Sequence, residues 1–507
     1  MNNFGRPNEI DNLTPGNVMV ERAAARYDFR DGALDGIDNP DPTYNGFAPQ
    51  TYHVVRTTEN DPLVDVFLGK MSMVNMNKEY YFLRRVSPKG LNTDATILGK
   101  ELPWYSNDLG QAIGTPGNYV VDAYWDWKAK TPTSGFSAHF NYPFFTEEGI
   151  ADNPEVATDR WYTSVIKDVL DNGVEDNPDS WNADGKKKSY KTWRYLTEGT
   201  IPEVETQQYG ITNGIVFKGL MKPARDARLT ATGTQGEDGY VPADDEFTQK
   251  LLEALKTSED GNKLHDPILY EFGGHLYCTW EHIRRMAIYL SLTDLKWNAE
   301  QLRWDFSINR STLIYNAVFG TGGFGSVTFS CDQAGELKNA DFLKTTGPNM
   351  QTLVDVIPED KASANSLYNA WKDAFKDSDD QVDENEAAEL VYFNAFRDAA
   401  VGKNIKFFQT SYDPQLGGWG YYCYYYYWNR HNDNGDEGIM GPMEFDVVRN
   451  NVYKLAVTKI ARLGHPRISA NDPDKPTPNT PDEKGDVYIT VTCTTLPWVV
   501  RENEIHF

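Results

Sequence analysis

The chain has 507 residues, more than one ordinary hydrophobic core accommodates, so two domains are expected. Its formal net charge of −25 argues against nucleic acid or an anionic membrane surface as a partner, because both would repel it. No uninterrupted apolar run reaches membrane-spanning length, and residues 1–7 lack the basic and apolar regions of a signal peptide.

Apolar and polar residues alternate with a period of two in several stretches, which is the pattern of half-buried strands. This alternation predicts strands at residues 18–27, 80–83, 118–121, 214–219, 327–329 and 452–457. Turn-forming pairs, among them Asn434 with Gly435 and Gly417 with Gly418, separate these stretches. The pattern therefore predicts a mainly β protein.

Three helices are predicted between the strands. Apolar residues at helical spacing mark the first two: Phe247, Leu251, Leu252 and Leu255 in one, and Leu367, Trp371 and Phe375 in the other. The third runs from about residue 386 to 400, with Gly402 as its stop signal. The helices do not alternate regularly with strands, so we interpret them as insertions in a β protein.

Two polar breaks predict the domain organisation. Residues 171–188 are rich in turn-forming residues, and residues 471–485 are rich in Pro and Asp, which favours an extended, solvated arm. We therefore expect an N-terminal β-sandwich domain with a connecting segment at 1–185. A C-terminal β-sandwich domain with helical insertions follows at 186–470, and an arm with a terminal strand at 471–507.

The residues after the arm alternate strictly, with Val487, Ile489, Val491 and Cys493 on one face. A strand with one apolar face at a chain end either completes its own domain or adds to the sheet of another molecule. The spacing alone leaves both interpretations open. The residues that would carry strand addition are Val487, Ile489, Val491, Cys493, Leu496, Trp498, Val500, Ile505 and Phe507.

Residues 424–435, in which four tyrosines precede Trp428, Asn429 and Arg430, closely resemble the C-terminal signature of the Mfa-type fimbria major subunits of Bacteroidales. Further segments resemble the same family, namely residues 440–445, 447–455, 462–466 and 496–501. A weaker resemblance lies in residues 21–26, 193–198 and 214–219. The resemblance implies a type V pilin, or fimbrillin, with two transthyretin-like Greek-key β-sandwich domains. It also implies a structural role and no enzymatic one.

In such pilins, a surface protease removes the first strand of the N-terminal domain, and the C-terminal strand of the next subunit fills the open groove. Carried over by position, the donor strand is 487–507 and its arm is 471–485. The resemblance implies export as a lipoprotein to the outer membrane and assembly with further copies and with anchor and tip subunits. Adhesion to host or bacterial receptors and biofilm formation would follow. The family's lipobox and first strands are expected to be missing, because the match begins at a late strand of the first domain.

Three motifs resemble ligand sites but lack required parts. Residues 320–325 match the dinucleotide fingerprint, yet a strand and no helix is predicted directly after them. His275, Cys278 and His282 lack a fourth zinc ligand. Residues 377–383 lack the glycine and glutamate of a calcium loop, although weak calcium binding by their charges stays open. We predict no cofactor, no metal site and no catalytic residue.

Two questions stay open at this level. The four cysteines, Cys278, Cys331, Cys423 and Cys493, are too scattered for a dense disulfide framework but permit one or two bridges.

The aromatic run at 421–428 is either a strand that covers the core and a subunit contact, or a platform on which sugars stack. The sugar platform supports the alternative function, a cell-surface glycan-binding protein.

Overall fold

A computed structural model describes most of the chain. The described residues are 17–18, 22–33, 50–56, 62–82, 85–87, 119–130, 132, 134–141, 164–176, 190–202, 207, 209–224, 246–256, 268–300, 303–320, 326–331, 359–375, 387–433, 435, 440, 443–466, 488–497 and 503–504. Strand residues, at 40%, outnumber helix residues, at 26%, which confirms the predicted mainly β class.

The strands are numbered in chain order. They are β1 (Asn17–Val18), β2 (Ala25–Arg30), β3 (Thr51–Arg56), β4 (Pro62–Val74), β5 (Met76–Asn77), β6 (Val86–Ser87), β7 (Tyr119–Val120), β8 (Phe140–Asn141), β9 (Ser164–Val165), β10 (Glu175–Asp176), β11 (Tyr190–Leu196), β12 (Gly214–Pro223), β13 (Leu269–Phe272), β14 (His275–Tyr277), β15 (Leu292–Asn298), β16 (Arg303–Asn309), β17 (Ser326–Cys331), β18 (Lys406–Phe408), β19 (Thr410–Asp413), β20 (Gly418–Trp428), β21 (Asn451–Ile460), β22 (Ile489–Pro497) and β23 (Asn503–Glu504).

The helices are numbered in the same way. They are α1 (Trp125–Lys128), α2 (Phe136–His139), α3 (Ile166–Asn172), α4 (Glu246–Lys256), α5 (Trp280–Tyr289), α6 (Leu313–Phe319), α7 (Ala364–Ala374) and α8 (Ala387–Val401). The predicted helices correspond to α4, α7 and α8, so all three are confirmed. None of the helices in the described ranges is long and apolar enough to cross a membrane.

Two large sheets form a β-sandwich. One has the strand order β10-β11-β2-β21-β22, and the other has the order β19-β20-β12-β4-β3, with β9 paired to β4. The pairing of β2 with β21 is parallel, whereas the other pairs in these two sheets are antiparallel.

The core lies between these two sheets, because alternate residues of each strand point inward. The inward side chains include Ala25, Tyr27, Phe29, Val64, Val66, Leu68, Ile215, Phe217, Tyr421, Cys423, Tyr425, Tyr453, Leu455 and Val457. Leu251, Leu252 and Leu255 of α4 join the same core. The apolar stripe that predicted α4 therefore faces the sandwich.

Each large sheet combines strands from before and after residue 185. The strand β2 lies between β11 and β21, and β4 pairs with β12. The predicted boundary at 185 thus does not separate the two sheets of the sandwich. The division into domains at 1–185 and 186–470 stays a prediction.

The stretch from β13 to β18 builds a second core beside the sandwich. It contains two three-stranded sheets, β14-β13-β18 and β15-β16-β17, together with α5 to α8. Aromatic rings fill this core, with Trp280, Trp371 and Phe396 each no more than 1% exposed. The Phe396 ring stacks on Trp371 at 5.9 Å and meets Trp280 edge-on at 4.7 Å. Two of the three predicted helices, α7 and α8, belong to this part of the chain, whereas α4 packs on the sandwich.

Two predicted strands need correction. A strand is predicted at residues 80–83, but residues 80–82 form none. The carbonyls of Tyr81 and Phe82 accept hydrogen bonds from the Arg449 side chain and not from a neighbouring strand. The strand predicted at 18–27 begins only at Ala25 as β2, with the two-residue β1 before it. The predicted strands at 214–219, 327–329 and 452–457 are confirmed as β12, β17 and β21, and β7 lies within 118–121.

Candidate polymerisation site at the C-terminal strand

The C-terminal strand β22 is the edge strand of the five-stranded sheet. It pairs antiparallel with β21, from Ile460 opposite Ile489 to Asn451 opposite Pro497. The predicted facing is confirmed: Ile489 is 6% exposed, and Val491 and Cys493 are partly buried against the sandwich core. In this single chain the strand therefore completes its own sheet, with one side of its backbone facing away from β21.

Only part of the predicted strand-addition set lies in the described ranges. Leu496 belongs to β22 and pairs with Val452, but its side chain is outside them. The other predicted residues, Val487, Trp498, Val500, Ile505 and Phe507, and the arm at 471–485, also lie outside the described residues. Their part in strand addition stays a prediction.

The inner face of β22 packs through an apolar side chain in its first half and through hydrogen bonds in its second half. Its first half is anchored by the buried Ile489 side chain. In its second half, Cys493 Sγ and Thr495 Oγ1 both donate to the Arg430 carbonyl at 3.5 Å. Burial raises the pKa of the Cys493 thiol to about 11, so the thiol is protonated and unreactive while the strand is in place.

A buried hydrogen-bond network lies beneath this second half. The Tyr27 hydroxyl donates to Asn429 Oδ1 at 2.8 Å, and Asn429 Nδ2 donates to the Asp446 carbonyl at 2.6 Å. His431 Nδ1 lies 2.9 Å from the Tyr453 hydroxyl, and burial lowers the pKa of His431 to about 4. The network joins β2, β21 and the segment after β20 into one support for β22.

Arg430 holds the end of that segment. Its guanidinium pairs with Glu444, which is 1% exposed, and lies 4.0 Å above the Phe445 ring. The backbone N–H of His431 donates to the Glu444 carbonyl at 2.6 Å. Two sequence motifs, 424–435 and 440–445, are therefore packed against each other by a stacked ring and by a charge pair in which Glu444 is buried and Arg430 is half-buried.

Arg449 and Glu198 form a second buried pair, with both side chains 1% exposed and a shortest N–O distance of 2.9 Å. The same guanidinium donates from Nη2 to the Tyr81 carbonyl at 2.7 Å and from Nη1 to the Phe82 carbonyl at 3.2 Å. Such a charge is tolerated in a core because all three guanidinium nitrogens donate to acceptors there. This pair links the strand ends of β11 and β21 to the loop after β5.

Asp446 is a buried acid in the same region. Its Oδ1 accepts a hydrogen bond from the Ile201 N–H at 2.8 Å, and its Oδ2 has no hydrogen-bond partner among the described residues. Burial raises the pKa of Asp446 well above its ordinary 3.8, and the neighbouring carboxylate of Asp122 adds to the rise. Lys128 pairs with Asp122 at 2.6 Å and not with Asp446, and with its pKa raised by burial the core carries Asp446 as the neutral acid.

Gly464 explains another motif, residues 462–466. A Cβ at this position would lie 2.2 Å from the Tyr424 carbonyl oxygen, because Tyr424 and His465 exchange two backbone hydrogen bonds of 2.8 Å beside it. Glycine is therefore required where the chain passes closest to β20.

Most of the aromatic run on β20 is buried, with rings on both faces of the strand. Tyr421 and Tyr425 point into the sandwich core, and Tyr422 and Tyr424 lie in a smaller cluster on the opposite face, each no more than 2% exposed. The interpretation as a strand whose rings cover the core is confirmed for one face. These four buried rings offer no surface on which a sugar can stack, whereas Tyr426 and Trp428 of the same run are half-buried and stack on each other at 6.2 Å. The glycan-binding alternative therefore stays a prediction.

The remaining motifs have ordinary structural positions. The strand predicted after residues 320–325 is confirmed as β17. His275 lies on β14 and Cys278 just after it, and the hydroxyl of Thr279 caps α5 by accepting from the His282 N–H at 3.1 Å. The described residues contain no group of three or more His, Cys, Asp or Glu able to hold a metal ion. Residues 377–383 lie outside the described ranges.

The cysteines show no bridge where the structure describes them. Cys278, Cys423 and Cys493 are free thiols, and the side chain of Cys331 lies outside the described residues. Cys423 is fully buried at the centre of β20, and burial raises the pKa of its thiol to about 11.

Sequence reasoning missed the buried charges Glu198, Asp446 and Arg449 and the half-buried Arg430. All four lie in or beside the segments that carry the family resemblance. A usable signal was present at Arg449, since it directly follows Val447 and Val448 and precedes a strand. A charge embedded in an apolar run often marks a paired, buried group.

Residues 420–504 match the family model of the major fimbrial subunit protein type IV, fimbrillin, C-terminal. The match supports a fimbrillin-family protein. Fimbrillins are structural subunits of cell-surface fimbriae that polymerise with other subunits. The family is a structural one and is not known for enzymatic activity. Among curated proteins no match is found.

The fimbrillin match contains β20, β21 and β22 together with Arg430, Asp446 and Arg449. Residues far upstream complete its core: Tyr27 reaches Asn429, Ile201 reaches Asp446, and Glu198 reaches Arg449. The matched segment thus contributes three strands, β20, β21 and β22, to a sandwich whose other described strands lie upstream.

Proposed function

We propose that this protein is an Mfa-type, type V pilin that polymerises by donor-strand exchange. In this proposal, the region 487–507 leaves its own sheet and fills a groove in the next subunit. Two transthyretin-like domains, lipoprotein export to the outer membrane, and a role in adhesion and biofilm formation belong to the same proposal. The observation that carries it is the position of β22: an edge strand with an apolar inner face, at the end of a fimbrillin match.

The energetics support exchange over simple detachment. Burying Ile489 and Val491 contributes about 1.5–3 kcal/mol for each side chain when fully removed from water. A strand released into solvent loses those contributions and its ladder with β21. A groove in a neighbouring subunit that takes the same apolar face restores both, so the exchanged state is favoured over the free strand. Such a joint dissociates slowly.

Exchange also requires that the strand can leave without unfolding the sandwich. β22 pairs within its sheet with β21 only, whereas β21 is itself held by β2 on its other side. The network of Tyr27, Asn429 and Tyr453 lies below β22 and closes without any residue of β22. The rest of the core therefore keeps its own contacts when the strand departs.

A reversible covalent lock tests the proposal. Lys454 and Thr494 are opposite each other in the β21–β22 ladder, at a spacing that a disulfide spans. The double variant Lys454→Cys, Thr494→Cys fixes β22 in its own sheet when oxidised. We expect the oxidised protein to stay monomeric in size-exclusion chromatography and electron microscopy, and to form polymers after reduction.

The single variant Thr494→Cys is the matched control, because it carries one of the two new thiols and cannot form the lock. It is expected to polymerise under both oxidising and reducing conditions. Polymers of equal length from the oxidised and the reduced double variant would overturn donor-strand exchange. The fimbrillin assignment of residues 420–504 would be untouched by that result.

A further inference from the structure

Two lysines and one aspartate meet on the sheet β19-β20-β12-β4-β3, on the face that points away from the sandwich core. Lys70 on β4 and Lys218 on β12 are directly opposite each other in the ladder. Both side chains reach Asp413, the last residue of β19, and all three residues are at most 9% exposed. We call these three residues the lysine–aspartate cluster. One carboxylate here contacts two desolvated ammonium groups, whereas a buried ion pair needs only one.

The two lysines contact the carboxyl group of Asp413 in different ways. Lys70 Nζ lies 2.9 Å from Oδ1 and 2.8 Å from Oδ2, so it faces the carboxyl carbon. Lys218 Nζ lies 2.8 Å from Oδ2 and 4.3 Å from the centre of the Tyr422 ring. A nitrogen that contacts both oxygens is within about 3.5 Å of the carbon between them, the distance from which a nucleophile attacks. The ring face stabilises the ammonium of Lys218, so Lys218 is the lysine that stays charged.

The carboxyl group is oriented by the turn that follows β19. The Gln415 N–H donates to Asp413 Oδ1 at 3.1 Å, and the Leu416 N–H donates to the Asp413 carbonyl at 3.1 Å. These bonds hold the side chain at the start of the turn between β19 and β20. The carbon that Lys70 faces is therefore in place without any further ordering of the chain.

Apolar side chains cover the surroundings of the cluster. Leu416 lies directly on β4 beside Lys70, because a Cβ at Gly69 would lie 2.3 Å from Leu416 Cδ2. Leu416, Leu220 and Tyr422 belong to one apolar cluster on this face of the sheet, and each is at most 8% exposed. Exclusion of water favours the joining of an amine to a carboxyl group, because water is the product and also the reagent that reverses the reaction.

We propose that Lys70 and Asp413 condense to an intramolecular isopeptide bond, a covalent modification that joins β4 to β19. Lys70 passes a proton to Oδ1, and its nitrogen attacks the carboxyl carbon while the Lys218 ammonium stabilises the negative charge that develops on Oδ2. Oδ1 takes a second proton from the nitrogen and leaves as water, and Oδ2 becomes the amide oxygen. One ammonium and one carboxylate thus give one amide and one water, and no other reactant is consumed.

The proton for this step is available within the cluster. Burial alone would raise the pKa of Asp413, but Lys218 and Lys70 together lower it below its ordinary 3.8, so the side chain starts as a carboxylate. Proton transfer from Lys70 gives a neutral amine beside a neutral acid. A desolvated site favours that neutral pair more than water does, and Lys218 keeps the remaining positive charge.

The bond would join residues that stand 343 positions apart. The strand β19 is an edge strand of its sheet and pairs there with β20 only. A covalent link from its last residue to β4 would stop β19 from separating from the sheet under force or heat. This inference goes beyond the proposed pilin function and does not rest on strand exchange, since β22 belongs to the other sheet.

Mass spectrometry of the intact, full-length wild-type protein tests the bond. We expect a mass below the sequence mass by that of one water molecule, and a branched tryptic peptide in which Lys70 is joined to Asp413. Lys70→Arg should have the full sequence mass. Lys222→Arg is the matched control on β12, near the Phe67 ring, and should keep the deficit. The exposed pair of Lys167 with Asp171 is an internal control and should give no branched peptide.

Lys218 is tested as a positioning residue by two variants. Lys218→Met should lower the linked fraction several-fold, and Lys218→Arg should restore it, because arginine keeps a positive charge beside Oδ2. Equal linked fractions in Lys218→Met and the wild type would overturn this role.

The full sequence mass in folded wild-type protein would overturn the isopeptide proposal. A branched peptide that contains Lys218 in place of Lys70, or one at the Lys167–Asp171 pair as well, would overturn the assignment from geometry and burial. The masses are read on protein without the 454–494 lock, so the outcome is separate from the strand test. Linked protein whose polymers ignore the lock keeps the isopeptide bond and removes strand exchange, and unlinked protein whose polymers the lock abolishes does the reverse.

Discussion

Arg449 and Glu198 stand 251 positions apart in the sequence, yet they form an ion pair of 2.9 Å in which neither side chain is more than 1% exposed. Both lie in segments that resemble the pilin family, and each alone would be an expensive charge in a core. The pair therefore joins the fimbrillin match to the upstream strands of the sandwich.

Removing one partner of this pair should destabilise the protein strongly. We expect Glu198→Gln to lower the free energy of unfolding by about 3–5 kcal/mol, because it leaves the guanidinium buried without its counter-charge. Urea denaturation followed by tryptophan fluorescence measures the change. Asp126→Asn is the control, since it breaks the exposed pair of Asp126 with Lys130 and should cost at most about 1 kcal/mol. Equal losses in the two variants would contradict this role for the pair.

Asp446 should make the free energy of unfolding fall as the pH rises from acidic values. Its folded-state pKa lies well above 3.8, so the unfolded chain releases this proton first, and the stabilisation by the neutral acid is lost from pH 3.8 upward to the folded-state pKa. Asp446→Asn keeps an acceptor for the Ile201 N–H and cannot ionise. We expect it to exceed the wild type by about 1–2 kcal/mol at pH 8 and to be no more stable at pH 3. A pH-independent difference between the two proteins would count against a neutral Asp446.

His431 should make the free energy of unfolding fall as the pH decreases, which is the opposite of the effect of Asp446. Its pKa falls from an ordinary 6.5 to about 4, so the unfolded chain takes up a proton first as the pH decreases. The stabilisation is complete above pH 6.5 and is lost as the pH falls to 4, by on the order of 2–3 kcal/mol. His431→Gln should show no such loss between pH 6.5 and 4. Unfolding curves at pH 7, 5.5 and 4 for both proteins measure the slope, and parallel slopes would refute the prediction.

The Cys493 thiol should report departure of β22. Departure of the strand alone exposes Cys493, whereas Cys423 at the centre of β20 is exposed only when the sandwich opens. We expect a maleimide to label Cys493 faster than Cys423 in native buffer, as read by peptide mass spectrometry. The oxidised 454–494 lock should slow the labelling of Cys493 and leave Cys423 unchanged. Identical rates for both thiols would mean that the strand does not open separately.

Much of the local structure was predictable because its signal is local. The facing of Ile489, Val491 and Cys493 follows from a period of two, and the apolar stripe of Leu251, Leu252 and Leu255 follows from a period of 3.6. These patterns need only neighbouring residues to be read, so the sequence predicted β22 and α4 before any partner was known.

The long-range arrangement was not predictable in the same way. The parallel pairing of Arg26 with Val452 and the reach of Arg449 to Tyr81 and Phe82 depend on parts of the chain that share no local pattern. The alternation at residues 80–83 predicted a strand because periodicity does not reveal where the carbonyls are satisfied. The buried pair of Arg449 with Glu198 likewise joins distant parts of the chain and becomes visible only in the folded structure.

The parallel contact between β2 and β21 also sets the order in which the molecule can fold. The ladder between β2 and β21 joins residue 26 to residue 452, so it forms only after the more than 400 residues between them have been synthesised. Contacts of such large sequence separation fold slowly, and until then β2 lacks its neighbour and exposes an unsatisfied backbone edge. The growing polypeptide therefore passes through a long interval in which it is open to premature association, and holding chaperones have most to contribute during that interval.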